Sequence, residues 1–142
     1  MSIDGGLRQL FPKHIAGHWQ SIESLGTGGG TPDVNFCTNG VEGWIEYKTT
    51  GGWRVSMRPL QPAWIERRVR NGGRVFIAVR ARKEGGRKSR DELWLIAPSA
   101  VRLLVTESLL DLPPDVVLCR FAGGPARWDW TAVANMLVAH KN

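Results

Sequence analysis

The dipeptide Asn39-Gly40 constrains this chain more than any other pair of residues. Asn-Gly between two strand-forming runs is a strong hairpin signal, because both central positions of the tight turn need a positive φ. Such runs flank it in the stretch Thr31–Lys48, TPDVNFCTNGVEGWIEYK. The pattern predicts a short strand over Asp33–Phe36 and a return strand over Val41–Thr49. Side chains alternate between the two faces of a strand. Trp44, Glu46 and Lys48 therefore share one face, and Ile45 and Tyr47 share the other. Asp33 stands at the mouth of the partner strand, so closing the hairpin brings it near Glu46.

Two carboxylates that converge beside an ammonium have a recognisable chemistry. Hard oxygen donors suit Mg²⁺ or Mn²⁺, which bind through one or two carboxylates and keep several waters. A nearby ammonium can orient a water or offset charge developing on an attacked phosphate. Together they suit hydrolysis of a phosphodiester. The plainer reading of any one acid is an exposed carboxylate at a strand end.

Pro32-Asp33, twelve further residues, and then Glu46-Tyr47-Lys48 resemble the core motif of the PD-(D/E)xK nuclease superfamily, in particular its VRR-NUC and Holliday-junction-resolvase-like branches. The resemblance runs from about Glu23 to Val79. A Gly-rich loop precedes the Pro-Asp, the Glu-Tyr-Lys ends a strand, and a helix opening at Gln61 leads to the strand GGRVFIAVR. It implies an α/β fold with a restriction-endonuclease-like core, a central mixed β-sheet flanked by helices, as a single domain over residues 1–142. It also implies a Mg²⁺ (or Mn²⁺) cofactor held by Asp33, Glu46 and the Tyr47 carbonyl, with Glu23 as a further acid from the element before the Pro-Asp. Lys48 would help to activate water. Gln61 and Trp64, in QPAW, match a Gln followed by an aromatic in these branches, and a Gln amide can hold a water or a phosphate.

The charge distribution agrees with a polyanionic partner. The chain carries a formal net charge of +6. Residues 54–90 hold twelve Lys or Arg and two acids, whereas the rest of the chain has seven basic and eleven acidic residues. A basic segment beside a metal site attracts nucleic acid, and Arg54, Arg58, Arg67, Arg68, Arg70, Arg82 and Lys83 are the candidate backbone contacts. A solvated Arg-rich surface is the alternative.

The remaining elements follow from local pattern. Leu7–Trp19 has helical spacing of apolar residues, although Pro12 interrupts it and Trp19–Ile22 also suits the start of a strand. Leu25–Thr31 is a Gly-rich loop that fits neither a Walker A nor a GxGxxG motif, and its glycines suit a close backbone approach to substrate or metal. Leu60–Arg70 is an amphipathic helix with Pro62 in its first turn. Arg74–Ala81 and Glu92–Ile96 read as strands around a charged loop, Arg82–Asp91. A short helix over Ala100–Leu104, an irregular stretch over Leu109–Pro114, a strand over Val116–Phe121 and a helix Trp130–His140 capped by Asp129 complete the chain. The order reads helix, hairpin, strand, helix, strand, strand, helix.

Rival sites are weak. His14 and His18 are four apart but lack the Glu of HExxH. Cys37 and Cys119 are far apart with no CxxC, and read as buried thiols. Among the seven tryptophans, Trp64 and Trp94 look like core; others could stack on unpaired bases. No apolar run is long enough for a membrane span and no signal-peptide pattern is present, so a cytoplasmic location is expected, in a bacterial or phage-infected cell. The resulting expectation is a metal-dependent, structure-selective DNA endonuclease acting on branched or flapped DNA. Symmetric resolution of a junction would need a homodimer. The alternatives are a non-catalytic basic nucleic-acid-binding protein, or a sequence-specific restriction-type nuclease of the same fold.

Overall fold

The computed structural model describes residues 4–22 and 29–141. Among these described residues, six strands lie side by side in chain order: β1 (His18–Ser21), β2 (Val34–Thr38), β3 (Val41–Thr50), β4 (Val75–Lys83), β5 (Arg90–Ile96) and β6 (Val117–Phe121). Every neighbouring pair is antiparallel except β3 and β4, which run parallel. A parallel pair needs a crossover connection, and here the crossover contains helix α2 (Gln61–Arg70). Three further helices, α1 (Leu7–His14), α3 (Val101–Thr106) and α4 (Trp130–Ala139), complete an α/β architecture with a central mixed sheet.

The hairpin forms where the sequence predicts it. Asn39 has φ 49° and Gly40 φ 79°, and the strands pair with Val34 opposite Ile45 and Thr38 opposite Val41. Both faces of the sheet are covered over its centre. On one face Ile45, Tyr47, Phe76, Ala78, Leu93 and Leu95 pack with Leu7 and Phe11 of α1 and with Val133 and Leu137 of α4. On the other, Val75, Ile77, Val79 and Trp94 pack with Ile65 of α2 and with Val101 and Leu104 of α3. Burying one such Leu, Ile or Phe contributes about 1.5–3 kcal/mol, so the two layers hold β3 and β4 firmly between them.

The structure corrects several expected boundaries. Helix α1 ends at His14, and Ile15 is already extended at φ −125°, ψ 113°. Residues 18–21 instead pair with β2, from His18 opposite Cys37 to Ser21 opposite Val34, because the open edge of the hairpin offers ladder partners that a prolonged helix would forgo. His14 and His18 therefore do not share a helix face, and His14 stacks on Trp130 at 4.6 Å. No strand lies between the hairpin and α2. That stretch crosses the surface, with Val55 buried and Trp53 half-buried in the core, and the Trp53 carbonyl accepts a hydrogen bond from the Leu109 amide at 2.7 Å. Strands β4 and β5 extend further toward each other than expected and reduce the charged loop to a tight connection around Gly85-Gly86. Of the thiols, Cys119 is buried and Cys37 only half-buried. Of the two tryptophans expected in the core, Trp94 is buried and Trp64 half-buried, whereas Trp128 is buried as well.

Candidate functional site

The site lies at the parallel junction of β3 and β4, under the first turn of α2. Alternation along β3 turns Glu46 and Lys48 toward the α2 face, and places Ile45 and Tyr47 in the opposite core layer. The crossover sets Gln61, the first residue of α2, above them. Gln61 is fully buried and its amide is used at both ends. Its Nε2 donates to Glu46 Oε2 at 2.7 Å, and its Oε1 accepts from Lys48 Nζ at 2.8 Å and from the Arg58 backbone amide at 2.8 Å. Lys48 Nζ also stands 3.4 Å from Glu46 Oε2. Glu46, Lys48 and Gln61 thus form a closed triangle.

Asp33 enters from the start of β2. Its Oδ2 accepts from the Tyr47 backbone amide at 2.9 Å. Its Oδ1 accepts from Arg8 of α1 at 3.1 Å, and the same guanidinium donates to the Asp33 carbonyl at 3.1 Å. In an extended strand the N–H and C=O of one residue face the same neighbour, so the Tyr47 carbonyl opens on the side where Asp33 sits. The Tyr47 ring belongs to the other layer, 5.2 Å from Phe11. Burial, together with the charges of Asp33 and Asp4, raises the pKa of its phenol, which stays protonated.

Glu46 is only 3% exposed, and its Oε1 is buried without a hydrogen-bond partner among the described residues. Burial pushes its pKa up to about 7, the nearby Asp33 charge adds to this, and Lys48 and Gln61 oppose it. A buried carboxylate oxygen left bare beside a second carboxylate is costly by itself. It is what a divalent cation would relieve. The donors here are all oxygens: Asp33, Glu46 Oε1 and the Tyr47 carbonyl. Among the described residues no group of three or more His, Cys, Asp and Glu gathers to form an all-protein cage. Two carboxylates suit Mg²⁺ or Mn²⁺, which retain waters, better than a metal that demands a full set of protein ligands. The donor set therefore fits the expected cation.

The other expected residues divide. Glu23 lies outside the described residues. Gly30, at the end of the Gly-rich loop, has φ 87°, and a Cβ there would stand 2.5 Å from the Leu60 carbonyl. The close approach that this glycine permits is thus to the entrance of α2. Arg58, Arg67, Arg68 and Arg70 are exposed on or just before α2, and Arg54 is exposed while donating to the Thr106 carbonyl at 2.8 Å. Arg82 departs from the expected group: it pairs with Glu84 at 2.6 Å and approaches Asp91 at 3.8 Å. Lys83, at the end of β4, is exposed. The basic segment is also less free than its composition suggests. Arg80 is buried against Asp91, and Arg74 donates to the Leu137 and His140 carbonyls at the end of α4.

Arg8 is the residue that sequence reasoning misses. It belongs to a helix read only for its apolar stripe, and its partner lies twenty-five positions away. No local pattern signals it. No protein-family model, curated protein or solved structure matches this chain, and no helix among the described residues is long and apolar enough to cross a membrane.

Proposed function

We propose that this protein is a Mg²⁺- or Mn²⁺-dependent, structure-selective DNA endonuclease of the PD-(D/E)xK type, acting on branched or junction DNA in bacterial or phage replication, repair or recombination. The observation that carries the proposal is the buried Glu46 with one bare oxygen beside Asp33, its other oxygen fixed by Gln61 and Lys48. Asp33, Glu46 and the Tyr47 carbonyl would hold the cation. When bound, such a cation offsets the charge of a phosphodiester and makes a coordinated water more acidic.

The chain's own groups supply the rest. Gln61 fixes the Glu46 carboxylate in one rotamer and leaves Oε1 as the oxygen on offer. Lys48 has three donors. One is held by Gln61 and one is directed toward Glu46, which leaves the third for a water or a phosphate oxygen. An ammonium held in this way stabilises a developing phosphorane without having to reorganise. Arg8 holds Asp33 by both its carboxylate and its carbonyl, which keeps the second ligand near the first despite their like charge. The exposed arginines along α2 would meet the phosphates flanking the site. Nothing in this set reads base edges in a groove, which favours shape over sequence as the basis of selection. Symmetric cutting of a four-way junction would require two copies.

The test is cleavage of end-labelled duplex, single-stranded, flapped and four-way-junction DNA in Mg²⁺, Mn²⁺ or EDTA, beside a Lys48→Ala variant. The expected result is metal-dependent cutting that the variant loses while its DNA affinity stays within a few-fold. Tight binding with no cutting in either metal would replace the proposal with a non-catalytic nucleic-acid-binding protein.

A further inference from the structure

The rows of side chains that cross the sheet extend the site onto a neighbouring surface. Ile22, Asp33 and Glu46 lie on one line, through the Ile22 amide on the Asp33 carbonyl at 2.8 Å and the continuing register of β2 on β3. The adjacent line is Gln20 opposite Asn35 opposite Trp44. It is two residues away along each strand, or about 7 Å. Gln20 is exposed, and Asn35 and Trp44 are half-buried. These three residues line an open hollow of about 490 Å³, together with Glu42 and Arg68.

The hollow has the chemistry of a nucleobase site. Trp44 packs against Trp64 of α2 with ring centroids 5.3 Å apart, and the Arg68 guanidinium lies over both rings, at 5.3 Å and 4.8 Å. A guanidinium already stacked on indole presents its outer plane, and unpaired bases stack on aromatic rings and on guanidinium planes alike. Beside Trp44 on the neighbouring strand, Asn35 Nδ2 donates to the Gly43 carbonyl at 3.0 Å, which fixes the side chain and leaves its Oδ1 free of any hydrogen bond within the described residues. Gln20 brings a second amide. Amide groups of this kind match the donor and acceptor edge of a base.

We propose that the Gln20–Asn35–Trp44–Arg68 surface binds one unpaired nucleobase, next to the phosphate that is cut. This inference rests on the nuclease reading for its placement. It makes the preferred substrate a duplex that ends in a single-stranded tail or flap at the site. Only an unpaired base can leave its helix to lie flat on this surface.

The test is fluorescence anisotropy in EDTA with three probes: a blunt duplex, the same duplex with a short single-stranded tail, and that duplex with an abasic tail. The wild-type protein is expected to prefer the normal tail to the abasic one by about tenfold, in keeping with the contribution of one stacked base. In Asn35→Ala and Arg68→Ala that preference is expected to fall to near unity. Equal wild-type affinity for normal and abasic tails would overturn the inference, and so would a preference that survives in both variants. If a variant does not fold, the wild-type comparison alone decides. Metal-dependent cutting with no base-dependent preference would remove this site and leave the nuclease reading intact. A base-dependent preference with no cutting in any metal would support this site and remove the nuclease reading.

Discussion

Gln61 holds Glu46 through a hydrogen bond of 2.7 Å, with the donor fully buried and the acceptor 3% exposed. The residue that begins α2 thereby fixes the orientation of a carboxylate on β3. Because the other end of the same amide takes Lys48, one side chain sets the geometry of two others.

Gln61→Leu removes all three hydrogen bonds while keeping volume. It leaves the Glu46 carboxylate and the Lys48 ammonium to arrange themselves without a guide. Loss of a buried partner costs about 1–3 kcal/mol, which urea denaturation will read as a lower midpoint. Removing a group that orients a metal ligand lowers activity about 10- to 100-fold. Cleavage should fall by that factor with DNA affinity little changed; wild-type cleavage rates would remove Gln61 from the mechanism.

Glu46 makes the metal-free protein sensitive to pH. Its pKa rises from 4.5 unfolded to about 7 folded, so between these values the folded state binds more protons than the unfolded state. Stability from this group is then fullest below about pH 4.5 and is lost as pH rises toward 7. At about 1.4 kcal/mol per unit the penalty above pH 7 is about 3 kcal/mol. Glu46→Gln should therefore melt higher than wild type at pH 8 in EDTA, and the difference should close as pH falls to 4.5. A difference that does not change with pH would mean that Glu46 is not held in this way.

Mg²⁺ should reverse that penalty. A ligand that binds only the folded state raises the melting temperature in proportion to the logarithm of its concentration above Kd. Wild type at pH 8 should gain stability on addition of Mg²⁺, and the gain should shrink below pH 7 as Glu46 takes up its proton. Asp33→Asn should abolish it. An undiminished gain in Asp33→Asn, followed by differential scanning fluorimetry, would point to other ligands.

Arg80 tests the scaffold rather than the site. Its guanidinium makes paired hydrogen bonds of 2.8 Å and 2.7 Å to Asp91, donates to the Gly5 carbonyl at 2.6 Å, and lies over Trp128 at 5.3 Å. Breaking a buried ion pair on one side costs about 3–5 kcal/mol. Arg80→Ala should lose about 3 kcal/mol by chemical denaturation. Cleavage by the fraction that remains folded should be retained, because the Asp91 network lies on the face opposite Glu46.

Much of the site is legible in the sequence because it depends on local rules. The Asn39-Gly40 turn fixes the hairpin, the hairpin fixes which β3 residues share a face, and a Gln before Pro62 marks the start of a helix. What escapes depends on distant contacts. Arg8 reaches Asp33 only because α1 packs against the sheet, and between the helical and the strand readings that the sequence offers around Trp19 the edge pairing with β2 decides. The basic segment misleads for a different reason. Composition counts charges, but β4 sends alternate residues to opposite faces, so Arg80 and Arg82 belong to the Asp91 network and not to the surface of Glu46.

The sequential order of the strands has a kinetic consequence. The two hairpins, β2 with β3 and β4 with β5, can zip through short connections, so these pairs need little loop closure. The parallel closure of β4 onto β3 is different, because α2 has to be laid down first. Gln61 meets Glu46 and Lys48 only when that step is complete. The chain therefore passes through its folding route with the Glu46–Lys48–Gln61 triangle unformed, and that triangle closes together with the pairing that locks the middle of the sheet.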